Sequence, residues 1–449
     1  MSQQAERLRS GGTQLVLIAF AIGLSVLAYV LVTLGLTGRT PVNVGGFVAI
    51  IAIAYLIAHL LVVRLAPGAD PALLPAAATL AGLGYAVIYR LDVRLADNQL
   101  GWLVSGLLAF ALTLIFVRDH RSLERYTYTI GLIGIGSLLL PIAPGIGETI
   151  NGARLWVHVG GLTFQPSELG KVLIVIFLAS YLDRKKELLA VATRRIGPIR
   201  LPEPRYLGPL LVAWFVSLAV LFIEKDLGSS LLFLAIFVLM LWAATGRGSY
   251  LALGLVLFVI GAVIGYMAFP HVQDRVLIWR HALQPNYVHN VGYQLAQGEF
   301  AMATGGIGGS GLGQGHPGLI PFAATDFIFA AIGEELGLFG TTAVLLLYVA
   351  LVGRGLRIAL AREDGFGKLL ATGLAVTLAV QTFIIVGGVT RLIPLTGITL
   401  PFVSYGGSSL VANFVLLALL LRVSASPRVP RRRHAAGWRG AGRRREAAA

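Results

Sequence analysis

The sequence predicts an all-α polytopic membrane protein of about twelve transmembrane helices, and three observations predict it. Of 449 residues, 56% are hydrophobic and only 13% charged, against about a quarter charged in an ordinary soluble domain. Apolar runs of roughly the 20 residues needed to cross a ~30 Å hydrocarbon core recur with short polar breaks. Those runs are continuous and lack the period-two alternation that spanning strands require.

In order, the expected spans are 14 to 36, 43 to 65, 73 to 89, 100 to 117, 125 to 141, 168 to 183, 208 to 223, 227 to 243, 249 to 269, 327 to 352, 366 to 388 and 399 to 422. The first is too long for the apolar core of a signal peptide and lacks a small-residue cleavage site, so it stays as a helix. The chain has no cysteine, which excludes disulfides, thiolate nucleophiles and cysteine metal ligands.

Charge sets the expected orientation. Arg118, Arg121 and Arg125 follow the fourth span, Arg184, Lys185, Lys186, Arg194 and Arg195 the sixth, and Arg354, Arg357, Arg362 and Lys368 the tenth. These loops share one side with the Arg-rich tail from Ser424, and the positive-inside rule makes that side, with both termini, cytoplasmic. The net charge of +15 is spread beside the spans rather than gathered in a basic domain, which argues against nucleic acid. The tail, 424 to 449, lacks the apolar content to fold; it reads as a topology anchor near anionic lipid headgroups.

Three segments then face outside: 142 to 167, 270 to 326 and 389 to 398. The first carries Arg154, whose guanidinium suits a phosphate or carboxylate. It runs into Gln165, Pro166, Ser167, Glu168 and Lys171. Ser167 is expected to cap the sixth helix and Glu168 to favour its positive end. Lys171 shares a face with Glu168 inside an apolar span, where an ionisable group is paired or functional. Glu224, Lys225 and Asp226 mark an outer turn or, beside the Arg154 segment, a place to hold a polar headgroup. Eight scattered histidines and no His-Glu-x-x-His give no metal centre.

The long segment contains Gly305 to Gly315, dense in glycine. No Gly-Lys-Ser/Thr follows, so it is not a phosphate-binding P-loop; it reads as a flexible or re-entrant substrate-lining loop. It ends at Asp326, before Phe327, Ile328 and Phe329. Asp326 is either the N-cap of the tenth helix or a carboxylate whose raised pKa suits a general base. Glu334 and Glu335, two turns deeper, need partners or protons. The stretch from Gly387 to Ser409, with Arg391, Pro394, Gly397, Pro401, Ser404, Gly406 and Gly407, breaks the twelfth helix. Such a break lines a cavity or allows close helix packing; Arg391 and Ser404 are candidate substrate contacts.

In this order, the blocks NGARLW, QPSELGK, EKDLGSSLL, ATGGIGGSGLGQG, TDFIFAAIGEELG and PLTGITLPFVSYGGSS resemble those of the SEDS family, typified by RodA and FtsW. The resemblance runs from about Leu73 to Arg422. It implies a ten-helix core over 67 to 423, preceded by a two-helix membrane extension over 1 to 66 as in actinobacterial RodA-like proteins. It implies polymerisation of lipid II outside the membrane, usually with a class B penicillin-binding protein, and gives Asp326 as the catalytic acid residue. Arg154, Glu168, Lys171, Arg391 and Ser404 are the expected substrate side. No cofactor is required; a divalent cation, Mg or Mn, is left open. The family's Pro-Glu-x-His is replaced here by Pro321, Phe322, Ala323 and Ala324, while the Pro-Leu-Thr-Gly block favours the RodA type. Rival readings are a flippase or transporter for a lipid-linked precursor and a non-catalytic scaffold.

Overall fold

A computed structural model gives the architecture and describes residues 3–150, 153–159, 162–190, 194–196, 199–201, 215 and 226–425. Its helices are α1 (Gln3–Thr37), α2 (Val44–Leu65), α3 (Leu73–Leu91), α4 (Val93–Phe116), α5 (Thr127–Leu139), α6 (Pro166–Ala190), α7 (Leu227–Thr245), α8 (Gly248–Ala268), α9 (Pro270–His281), α10 (Tyr293–Gly305), α11 (Ile328–Leu360), α12 (Gly365–Val389) and α13 (Gly407–Ala425). Every expected span that falls on described residues coincides with one of these. The seventh lies outside them apart from Phe215, so the count of twelve is not fixed. Among the described residues nine helices are long and apolar enough to cross a membrane. With the family assignment given below, this makes the chain a multi-pass membrane protein.

Burial explains the packing. α12 and α13 are apolar nearly all round and largely buried, as helices central to a bundle must be. α13 packs on α4 and α6, and α12 on α11, α6 and α7, while α1 lies along α3. α8 instead turns Leu255, Val259, Val263 and Met267 outward, a surface suited to lipid hydrocarbon.

Several local expectations change. The sixth helix begins at Pro166, so Ser167 lies in its first turn and is not its cap; proline's fixed φ and missing N–H suit that first position. The fourth begins earlier than expected, at Val93, because the Asp92 carboxylate accepts from the Arg94 and Leu95 N–H groups. The twelfth begins only at Gly407, and 399 to 406 are irregular, with Phe402 at φ 65°. Among the described residues strands occur only in loops, none spanning: antiparallel β1 (Gly147–Ile150), β2 (Ala153–Val159) and β3 (Leu162–Phe164) form one sheet, and β4 (Arg194–Ile196) and β5 (Ile199–Leu201) a second.

The tenth helix carries the largest departure. Gly337, at φ 64° and ψ −162°, breaks α11 after its first nine residues, a conformation that a residue with a Cβ resists. The glycine-rich segment straps this break. Ser310 and Gly311 N–H groups donate to the Glu334 and Glu335 carbonyls, both at 2.9 Å, and the Gly306 and Ile307 carbonyls accept from Leu338 and Phe339. Backbone groups freed at membrane depth are thus resatisfied by the loop. Of the two expectations for this segment, flexible or re-entrant, its hydrogen bonds to the broken helix oppose the first.

Candidate active site

The segment after α8 folds into α9 and α10, and these with the α11 entrance and the turn at 395 to 397 enclose a cavity of about 250 Å³. Asp326, Arg275, His271, Asp274, Gln294 and Leu395 are among its lining residues. Asp326 is not the cap of α11: that place falls to Phe327, and no side chain caps the helix. Its carboxylate is half-buried beside the fully buried Phe327. Burial pushes its pKa up to about 6, against the opposing effects of the Arg275 charge and a Thr325 hydrogen bond and with the help of Asp226. Gly397, at φ 78°, faces the pair: a Cβ there would stand 3.6 Å from both Asp326 Oδ2 and Arg275 Nη2.

Arg275 is the site residue that sequence reasoning missed. Its Nη1 donates to the Leu395 carbonyl at 2.5 Å, and its charge acts on both Asp326 and Asp226. Asp226 caps α7 by accepting from the Ser229 N–H at 3.0 Å; Glu224 and Lys225 lie outside the described residues. The available signal was an Asp-Arg pair within a short stretch of mixed polarity, which becomes specific only once α9 is folded against 395 to 397.

Ser404 holds the backbone next to the carboxylate. Its Oγ donates to the Thr325 carbonyl at 2.6 Å and accepts from the Leu400 N–H at 2.9 Å, while the Tyr405 N–H donates to the Ala324 carbonyl at 2.8 Å. The irregular stretch before α13 is therefore the seat of the Asp326 loop.

The remaining expected residues are not among those lining the cavity. Lys171 is buried and donates to Glu168 Oε2 and to Gln381 Oε1, the latter at 2.8 Å; Gln381 Nε2 then donates to the Thr399 carbonyl at 2.8 Å. This chain of bonds ties α6 and α12 to the irregular segment, and pairing is what makes so buried an ammonium tolerable. Arg391, at φ 58°, donates through Nε to the Trp279 carbonyl at 3.0 Å and pairs with Glu299 at 3.1 Å, joining α9 to α10. Arg154 on β2 donates to the Ala143 carbonyl at 3.1 Å, and its Nε has no hydrogen-bond partner. Glu334 and Glu335 find donors in the His316 N–H at 2.7 Å and in Arg90 Nε at 2.9 Å. No group of three or more His, Asp or Glu side chains able to hold a metal ion occurs among the described residues.

The model of the FtsW/RodA/SpoVE family, described as a cell cycle protein, matches residues 74–429. The chain belongs to this family. It is 45% identical over 433 residues to the peptidoglycan glycosyltransferase RodA of Mycobacterium tuberculosis, covering 93% of this chain and 91% of that one. It is 35% identical over 325 residues to a probable peptidoglycan glycosyltransferase FtsW of Geobacter metallireducens, covering 72% and 83%. Among solved structures, a peptidoglycan synthase complex described as coordinating polymerization and crosslinking superposes with a TM-score of 0.63 at 29% identity, over 79% of this chain and 97% of that one. The crystal structure of Thermus thermophilus RodA gives 0.53 at 29% identity, over 79% and 96%. As a FtsW/RodA/SpoVE protein, the chain carries residues 1 to 73 ahead of the matched family region.

Proposed function

We propose that this chain polymerises lipid II, the undecaprenyl-pyrophosphate-linked disaccharide pentapeptide, into glycan strands on the outer face of the cytoplasmic membrane. The chain is a peptidoglycan glycosyltransferase, and its greater likeness to RodA than to FtsW proteins over more of its length favours a role in elongation and shape. The observation that carries the mechanism is an uncapped carboxylate of raised pKa lining a cavity opposite an arginine. Asp326 would take the proton of the acceptor's GlcNAc 4-hydroxyl as that oxygen attacks the donor's MurNAc anomeric carbon. The bond from that carbon to the phosphate oxygen breaks, the lipid pyrophosphate leaves, and configuration inverts.

Arg275, on the cavity wall, is assigned to charge developing on the leaving pyrophosphate. Ser404 is assigned to positioning Asp326. Arg154, Arg391 and the Glu168–Lys171 pair lie in the same end of the bundle and are proposed as its outlying substrate side. That end faces outward because the basic loops after α4, α6 and α11 lie at the other, leaving both termini cytoplasmic. The solved synthase complex supports a class B penicillin-binding protein as partner. Membrane lipids surround the spans.

The test is lipid II polymerisation by the purified chain, with and without its partner carrying an inactivated transpeptidase site, comparing wild type with Asp326→Ala and Asp326→Asn. Strands from wild type alone are expected. Equal strands from all three would reject Asp326 as the base, and none from any would shift weight to transport or scaffolding.

A further inference from the structure

α1 and α2 precede the matched family region, yet α1 touches the strap that supports the active-site loop. We propose that α1 is a positioning element for catalysis: through Gly35 it clamps the strap Gly305–Gly315, and the strap fixes the broken end of α11 behind Asp326. This rests on the reading of Asp326 as the base.

α1 is first anchored to the core. Ser25 packs against Gly82 of α3, where a Cβ would collide with the Ser25 hydroxyl. One turn on, Tyr29 meets Tyr89 edge-on at 4.8 Å and Phe47 of α2 at 4.8 Å, and Phe47 stacks on Tyr85 at 4.6 Å. These contacts leave α1 little freedom on α3.

Backbone then meets backbone. A Cβ on Gly35 would run into the Leu312 carbonyl and lie 3.0 Å from the Gly313 Cα; one on Gly313 would lie 2.7 Å from the Val32 carbonyl oxygen. Gln314 Nε2 donates to the Gly35 carbonyl at 3.2 Å. A contact between main chains has no rotamer to absorb a shift, so the place of α1 sets the place of the strap. From the strap the coupling passes to α11 through the bonds to Glu334 and Glu335 already described. It also passes to α3 through Arg90, whose Nη2 donates to the Gly315 carbonyl at 2.7 Å. From His316, bonded to Glu334, ten residues lead to Asp326.

The helix supplies its own control, because a Cβ on Gly23 meets nothing within 4 Å. Full-length Gly35→Leu, Gly35→Ala, Gly23→Leu and wild type would be compared in nanodiscs by hydrogen exchange of residues 305 to 316 and by lipid II polymerisation. Gly35→Leu is expected to speed strap exchange at least ten-fold and cut polymerisation at least ten-fold, with α12 and α13 amides unchanged. Gly35→Ala should show smaller changes of the same sign, and Gly23→Leu none. Strap exchange unaltered by Gly35→Leu, or altered equally by Gly23→Leu, would overturn the clamp. If Gly35→Leu does not fold, Gly35→Ala decides by the same exchange test. The exchange arm needs no turnover, so failure of every form to polymerise would count against the transferase reading alone.

Discussion

Two carboxylates at opposite ends of this bundle, Asp364 and Asp326, are treated in opposite ways. At the basic end, His120 lies 2.7 Å from Asp364 and 3.3 Å from Asp119. Asp364 also caps α12 through the Gly367 N–H at 2.9 Å. Burial works to raise the Asp364 pKa, but the His120 hydrogen bond and charge, the Gly367 N–H and Arg121 together hold it down at about 2. Arg354 pairs with Asp70 at 3.0 Å, and Arg422 donates to the Leu65 and Leu114 carbonyls. At the other end, Asp326 caps nothing and its ionised form is disfavoured at a cavity wall. Similar residue types thus serve as fasteners where their bonds are saturated, and are left available for chemistry where they are not.

The comparison is tested most severely at Asp326. Asp326→Asn should lower polymerisation by about 10²–10⁴-fold and at the same time raise stability. A folded pKa of about 6 against an ordinary 3.8 means that stability is full below about pH 4 and falls as pH rises through about 6. Removing the ionisable group should therefore recover about 2–3 kcal/mol at neutral pH, read as a higher unfolding temperature in detergent. A destabilised Asp326→Asn would break the contrast between the ends.

Arg275→Gln should cost about 10- to 100-fold in rate and shift the pH profile. The wild-type rate should rise with pH through about 6 as Asp326 ionises. Without the arginine, whose charge favours the carboxylate, that limb should move to higher pH. An unmoved limb would separate Arg275 from the carboxylate it faces. Ser404→Ala should cost about ten-fold in rate through the Thr325 carbonyl it leaves unbonded, with the pH limb in place. Asp364→Asn should leave polymerisation unchanged and lower stability by about 1 kcal/mol, discounted for partial exposure. Its deficit should be complete above about pH 4 and vanish as pH falls through about 2, measurable as converging melting curves. Lost polymerisation in that variant would show that the basic end is more than a fastener.

The apolar runs made the bundle legible because membrane spans are specified residue by residue. Asp326 was legible only as a choice between cap and base, since both want an aspartate before a helix; the cap position falls to Phe327, which removes the first of the two. Arg275 was not legible, because its meaning comes from two carboxylates more than 45 residues away on either side. The break at Gly337 was hidden because glycines recur throughout the apolar helices here, and only the strap's hydrogen bonds distinguish this one. Ser404 stood within a segment marked as irregular, but the direction of its hydroxyl toward Thr325 is a property of the fold.

The division of α11 at Gly337 has a mechanical consequence. The nine residues Ile328–Leu336 form a lever about 13 Å long, at 1.5 Å per residue, hinged at the glycine and carrying the Asp326 carboxylate just past its other end. A tilt of about 5° at such a hinge would swing the tip by roughly 1 Å, a displacement that can cost about a hundred-fold in rate. With Asp326 as the proposed base, positional precision would rest on the stiffness of this hinge and its strap together with the Ser404 and Tyr405 bonds that seat the Asp326 loop.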